Sequence, residues 1–244
     1  MIPGSLVFGG APIGGLYAPV SDETAAGTLA AAWDAGIRAF DTAPHYGVGV
    51  SERRIGEFLA GRPRDEFTVC TKVGRRLVPA AGNVQGEEGF HDIPPLTRVR
   101  DHSRDGVRRS LEESLEGLGL DRVAIALVHD PDDFMEQATD QAYPALAELR
   151  AQGTVRAVGA GMNSATALAW IVEPRPGPRA SGRPVQAARR LGGGQPVPAV
   201  PATWGRRARG RRVQQRHPGR PRRRHDFRLR PGPARGAGPR APDA

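Results

Sequence analysis

The chain has 244 residues and a formal net charge of +9, a length that suits one α/β domain with a substantial core. No apolar run reaches the length of a membrane span and the N-terminus lacks a basic segment followed by an apolar stretch, so a cytoplasmic protein is expected. The charge is divided by position: residues 1–173 hold 16 basic and 24 acidic residues, a net of −8, whereas residues 174–244 hold 19 arginines and two aspartates, a net of +17. The basic balance therefore belongs to the tail, and the front part is not a polyanion-binding surface by charge.

Up to Glu173, short apolar runs alternate with amphipathic stretches, the pattern of strands alternating with helices around a parallel sheet. LVFGG is the first predicted strand. Gly9, Gly10, Gly14 and Gly15 lack the GxGxxG spacing of a dinucleotide fingerprint and point to close backbone approach to a ligand. Ser21 is placed to cap a first helix whose Asp22 and Glu23 suit its dipole, with Gly36 closing it. RAFDTA is the second strand, and a helix from near Ser51 presents Ile55, Phe58 and Leu59 on one face before Gly61 ends it.

FTVCTKV is the third strand, in which Cys70, the single cysteine, is a buried residue without chemistry. Residues 75–101, polar and containing Gly and Pro, are predicted as a loop. Val107, Leu111, Leu115 and Leu118 then recur at helical spacing. VAIALVH is the fourth strand, a helix ends at Gly153, VRAVGAGM is the fifth strand, and Ser164 to Glu173 begin a fifth helix. Trp33 and Trp170 are expected in the core and His45 either there or in a cleft. Such repeats suit a doubly wound sheet or a (β/α)8 barrel, the latter needing eight units.

In parallel α/β units the loops after the strands carry the chemistry. Asp41 follows the second strand with Tyr46 just beyond it in DTAPHYG, Lys72 ends the third strand, and His129 ends the fourth. Neighbouring strand ends would bring the four together. A tyrosine with a pKa of ~10 is a poor proton carrier at neutral pH, but a buried cation beside it stabilises tyrosinate. Lys72 supplies that cation, and it is the only lysine in a chain that otherwise uses arginine. Arginine does not replace a compact charge beside a titrating group. Asp41 would hold the ammonium, and His129 would hydrogen-bond a carbonyl oxygen while Tyr46 passes it a proton. Singly, each residue has a bland account as a turn cap, core edge or solvated strand end; together, in register, they fit carbonyl reduction or alcohol oxidation.

FDTAPHYGVGVSERRIGEFL, TKVGR, LGLDRVAIALVHDPD and VRAVGAGMN carry a resemblance. Over residues 5–173 the chain resembles the aldo-keto reductase family, in its branch of aldose 1-dehydrogenases such as L-fucose dehydrogenase. The resemblance implies a (β/α)8 TIM barrel, NAD(P) bound in extended form without a Rossmann motif, and a catalytic tetrad at Asp41, Tyr46, Lys72 and His129. It also implies cofactor contacts from Asp41 and from Asn163, which sits in GMNS in place of the commoner Ser-Asn pair. The substrate implied is a small carbonyl, alcohol or sugar reacting at C1. No metal site is expected.

The family's sixth to eighth strands should follow Glu173, and nothing like them is present. Of the 71 residues from 174 to 244, 24 are Pro or Gly and seven are Leu, Ile, Val or Phe, too few to offset ordering entropy, so this segment is expected to be disordered. One synonymous coding of Arg212 to Pro221, shifted by a base, reads VFNSGILAD, which resembles a late segment of the same branch. The same shift turns Arg224 to Arg230 into GMTFDYA and Gly182 to Arg190 into AGRYRLLDG. Three matches in one frame and in family order favour a frameshift near Pro174. The front part is then a barrel of about five units with open sheet edges and uncovered apolar faces, expected to lack stable activity as written.

Two rivals are a catalytically silent subunit on the same scaffold, as in the family's potassium-channel partners, and a nucleic-acid binder acting through the tail. The intact tetrad argues against the first. The tail's lack of interleaved aromatics or a binding module argues against the second. Sequencing the coding DNA across codons 165–225 is expected to show family-like strands in the shifted frame; stops in that frame would leave the Arg-rich segment as genuine.

Overall fold

The computed structural model describes residues 6–164 and the backbone of a short strand at 187–188. In chain order it contains β1 (Phe8–Gly9), α1 (Asp22–Asp34), β2 (Ala39–Asp41), α2 (Val50–Leu59), β3 (Thr68–Val73), β4 (Arg75–Pro79) and β5 (Leu96–Arg100). These are followed by α3 (Arg104–Leu118), β6 (Val123–His129), α4 (Met135–Gln137), a π turn at Ala138–Ala142, α5 (Tyr143–Ala151), β7 (Val155–Met162) and β8 (Ala187–Ala188). The main sheet is parallel, with the order β1-β2-β3-β6-β7-β8. Strands that neighbour one another in order along the chain, each followed by helix, are the construction of a (β/α)8 barrel rather than of a sheet whose order reverses. Four such units and the strand of a fifth are described. The predicted helix beyond Ser164, Trp170, the 173/174 boundary, the expected disorder and the segments read in a shifted frame lie outside the described residues.

The helices form where sequence signals coincide. Ser21 caps α1 by accepting from the Thr24 N–H, and Ser103 caps α3 by accepting from Gly106 N–H. Period-2 alternation in β3 sends Val69 and Val73 to the helix side, where they join Ile55 and Leu59 of α2 and Val107, Leu111 and Leu118 of α3 in the main core. Trp33 packs beside it, its ring 6.4 Å from Phe40 and 6.1 Å from Phe58. The alternate residues Thr68, Cys70 and Lys72 line the inner face. Cys70 is therefore half-buried at the cavity wall and not enclosed in the core; burial and the Asp41 charge push its thiol pKa well above the usual range. Among the described residues no helix is long and apolar enough to cross a membrane.

Residues 75–101 correct the expectation of a loop. β4 and β5 form an antiparallel pair, Arg75 opposite Arg100 and Pro79 opposite Leu96, and the segment between them packs Val84, Phe90 and Ile93 against Ala11, Ala43, Tyr46 and Val48. Four strand arginines and a closing proline hide the alternation of this hairpin, and the second apolar cluster it roofs comes from residues far apart in sequence. The early glycines also differ from expectation. A Cβ on Gly10 would meet Ser51 Oγ at 2.6 Å, one on Gly14 the Tyr46 backbone at 2.8 Å, and one on Gly15 the His91 carbonyl at 2.3 Å. Their close approach is to the protein's own chain; among the four, Gly9 faces the cavity.

α2 carries a carboxylate into the core. Glu52 is 3% exposed and accepts from Thr71 Oγ1 at 2.6 Å, and burial raises its pKa to about 7. The unfolded chain releases this proton near pH ~4.3 whereas the folded chain keeps it until about 7, so over that window the folded state binds more protons and stability falls as pH rises. Glu52→Gln removes the dependence. Relative to wild type, its unfolding free energy from urea titrations is expected to improve by about 3 kcal/mol between about pH 4 and about pH 8.

Candidate active site

Registry between adjacent strands builds the site. Asp41 at the end of β2 pairs with Cys70, two residues before Lys72, and Lys72 pairs with Leu127, two residues before His129. Because the period is two, Asp41, Lys72 and His129 share the inner face at the carboxyl ends of their strands. Lys72 Nζ stands 2.8 Å from Asp41 Oδ1, donates to the Thr42 carbonyl at 2.9 Å and lies 4.5 Å from the centroid of the Tyr46 ring. The Tyr46 ring meets His129 edge-on at 6.0 Å. All four residues predicted from the sequence line one cavity of about 690 Å³, and the exposed Asn163 is on its wall after β7.

A buried polar network holds these loops. Ser51 Oγ donates to the Gly10 carbonyl at 2.9 Å and stands 2.9 Å from Thr42 Oγ1, and Gly10 N–H donates to the Asp41 carbonyl at 2.7 Å. The Thr42 backbone, whose carbonyl receives Lys72, is thus held through its own side chain and through the carbonyl of Asp41 before it. Beyond it, the loop carrying Tyr46 turns at Gly47, where φ is +64° and an added Cβ would lie 2.2 Å from the Gly14 carbonyl oxygen.

Electrostatics follow from burial. Desolvation would lower the Lys72 ammonium, but the Asp41 carboxylate and then Tyr46 outweigh it, and the pKa is raised. Lys72 is therefore a fixed cation. Burial, then Lys72 and Arg75, hold His129 well below the ordinary histidine range, and burial with Arg75 brings His45 to about 3. Both rings are neutral. Among the described residues His129 Nδ1 has no hydrogen-bond partner, while Asp130 Oδ2 lies 3.5 Å from Nε2. The carboxylate favours the tautomer with the proton on Nε2.

The sequence reading left out Arg75, Glu88 and Asp130 and did not decide for His45. Arg75 Nη1 lies 3.3 Å from His45 Nδ1, and Glu88, Asp130 and His45 line the same cavity. Asp130 was visible as the residue after His129 in VAIALVHD; Arg75 and Glu88 were concealed in the unrecognised hairpin segment. Among the described residues no group of three or more His, Cys, Asp or Glu could hold a metal ion.

Residues 5–181 match the aldo/keto reductase family, and the chain belongs to that family. It is 45% identical over 173 residues to a D-threo-aldose 1-dehydrogenase of Pseudomonas sp, an alignment covering 69% of this chain and 53% of the relative. It is 38% identical over 178 residues to a pyridoxal 4-dehydrogenase of Microbacterium luteolum, covering 65% and 52%. In structure it is similar to a glycerol dehydrogenase from Gluconobacter oxydans, with a TM-score of 0.55 and 30% identity over 70% of this chain and 50% of that one. The chain spans about half the length of the curated relatives it matches.

Gly47→Ala is expected to destabilise the chain by about 3 kcal/mol or more in urea unfolding, because both backbone conformation and contact forbid the methyl group. A change in near-ultraviolet circular dichroism should accompany it as Tyr46 is displaced.

Proposed function

We propose that the cavity carries out NAD(P)-dependent, reversible oxidoreduction of a small aldehyde, alcohol or sugar, with the C1 position of an aldose as the reacting carbon. The observation that carries the proposal is the buried ammonium of Lys72, held between Asp41 and the Thr42 carbonyl and set against the Tyr46 ring. The similarity to D-threo-aldose 1-dehydrogenase supports an aldose as substrate.

The residues present fit the nicotinamide end of the cofactor. Asn163 is exposed on the cavity wall, the Asp41 side chain keeps 32% of its surface open beside it, and the cavity has room for a ring and a small substrate. Asn163 would hold the carboxamide and Asp41 an adjacent hydroxyl. When bound, NAD(P) accepts or supplies the hydride. The chain's own residues manage the proton. In reduction, Tyr46 gives its hydroxyl proton to the carbonyl oxygen; in oxidation it takes the proton back. Lys72 stabilises the phenolate formed, Asp41 keeps Lys72 charged and in place, and neutral His129 donates from Nε2 to the substrate oxygen. We place this chemistry in the cytoplasm.

The family match stops at residue 181, which supports the change of reading frame near Pro174 and, with it, the assignment of residues 1–173 as the front of the barrel. Restoring the frame by one base is expected to yield an enzyme that reduces NAD(P) in the presence of aldoses, far faster than the chain as written. In that enzyme Tyr46→Phe should lower kcat by about 10²–10⁴-fold, measured as reduced-nicotinamide absorbance, with cofactor affinity little changed. Turnover by Tyr46→Phe equal to that of the parent would contradict the assignment.

A further inference from the structure

The mouth of the cavity holds charged groups that the proton transfer does not use. Arg75, 7% exposed, lies between two carboxylates: Nη1 donates to Glu88 Oε2 at 3.1 Å and Nη2 to Asp130 Oδ2 at 2.8 Å. Glu88 Oε2 also lies 3.4 Å from His45 Nε2. Asp130 Oδ2 is 3.5 Å from His129 Nε2, the atom assigned to the reacting oxygen. Arg100 donates to the Asp130 carbonyl at 2.7 Å and fixes its backbone. Each carboxylate thus commits one oxygen to the guanidinium. Among the described residues neither Asp130 Oδ1 nor Glu88 Oε1 receives a hydrogen bond, and both residues face the cavity.

We propose that Asp130 and Glu88, oriented by Arg75, form a subsite that recognises the hydroxyl groups of a neutral polyhydroxylated aldehyde and so determine specificity. The proposal rests on the reading of this cavity as a carbonyl and alcohol site. An ionised carboxylate is acceptor-only, and the ligand groups that match a free carboxylate oxygen without adding charge are hydroxyls. The charged groups lining the cavity are Asp41, Lys72, Glu88 and Asp130, with Arg75 paired to the last two, so no cationic excess is present to attract a phosphorylated or carboxylated sugar. A hydroxyl-poor aldehyde would strip water from both carboxylates and return nothing, which discriminates more sharply than apolar fit. Because Asp130 begins 3.5 Å from His129 Nε2, the subsite addresses hydroxyls on the carbons next to the reacting one.

The test measures binding to the full chain by saturation-transfer NMR titration with D-arabinose, arabinose 5-phosphate and pentanal, in wild type, Asp130→Asn, Glu88→Gln and the double variant. Glu88 is exposed enough that its substitution leaves folding intact, and circular dichroism checks the others. The expected result is arabinose binding weakened about tenfold by each substitution, pentanal affinity unchanged by Glu88→Gln, and the phosphorylated sugar bound more weakly than arabinose by wild type. Loss of arabinose and pentanal to the same degree in Glu88→Gln, no effect of the variants, or no arabinose binding by wild type would overturn the proposal. Reduced-nicotinamide fluorescence on the same samples separates the two levels. A chain that binds the cofactor and pentanal without these differences sinks the subsite alone, and one that binds neither cofactor nor carbonyl sinks the underlying reading as well.

Discussion

Lys72 is 6% exposed, and an unpaired charge at that depth is penalised by several kcal/mol. The sheet therefore has to deliver a carboxylate and a carbonyl to one point, and it does so through registry: Asp41 from the neighbouring strand at 2.8 Å and the Thr42 carbonyl at 2.9 Å. A slip of one residue between β2 and β3 would turn Asp41 to the helix side and leave Lys72 alone. The register is in turn pinned by the apolar alternation of β3, whose Val69 and Val73 cannot leave the core, and by the Ser51–Thr42–Gly10 hydrogen bonds. Packing on one face of the sheet thus sets chemistry on the other.

The fixed cation organises its neighbours. Together with burial and Arg75 it keeps His129 neutral, so that this ring is a hydrogen-bond donor without being an acid. The Tyr46 hydroxyl is left as the proton carrier in the assigned roles. Towards solvent the electrostatics change character, because Arg75 meets two carboxylates of its own. An inner cation paired with Asp41 and an outer guanidinium compensated by Glu88 and Asp130 thus stand at one cavity.

Much of this was legible in the sequence because parallel strands buried on both faces are near-continuous apolar runs. VAIALVH and VRAVGAGM match β6 and β7 residue for residue. Polar residues at the ends of such runs stood out as site candidates for the same reason. The hairpin was concealed because its strands are rich in arginine and separated by 16 residues containing Pro94 and Pro95, so its partner for packing is a cluster assembled only in three dimensions. Gly14 and Gly15 signalled close approach correctly but not its object, since a glycine's small size does not say whether a ligand or the chain's own carbonyl will be near it. Glu52 was not singled out among the charged residues of its helix and is buried against Thr71.

The central claim is that a compact ammonium, and not positive charge in general, is needed beside Tyr46. The most direct test compares hydride transfer by Lys72→Arg and Lys72→Met in the frame-restored enzyme at saturating cofactor. The planar guanidinium cannot reproduce the contacts to Asp41 and Thr42 within the same buried space, so both variants are predicted to lose about 10²-fold or more in kcat. Near-normal turnover by Lys72→Arg would contradict the account.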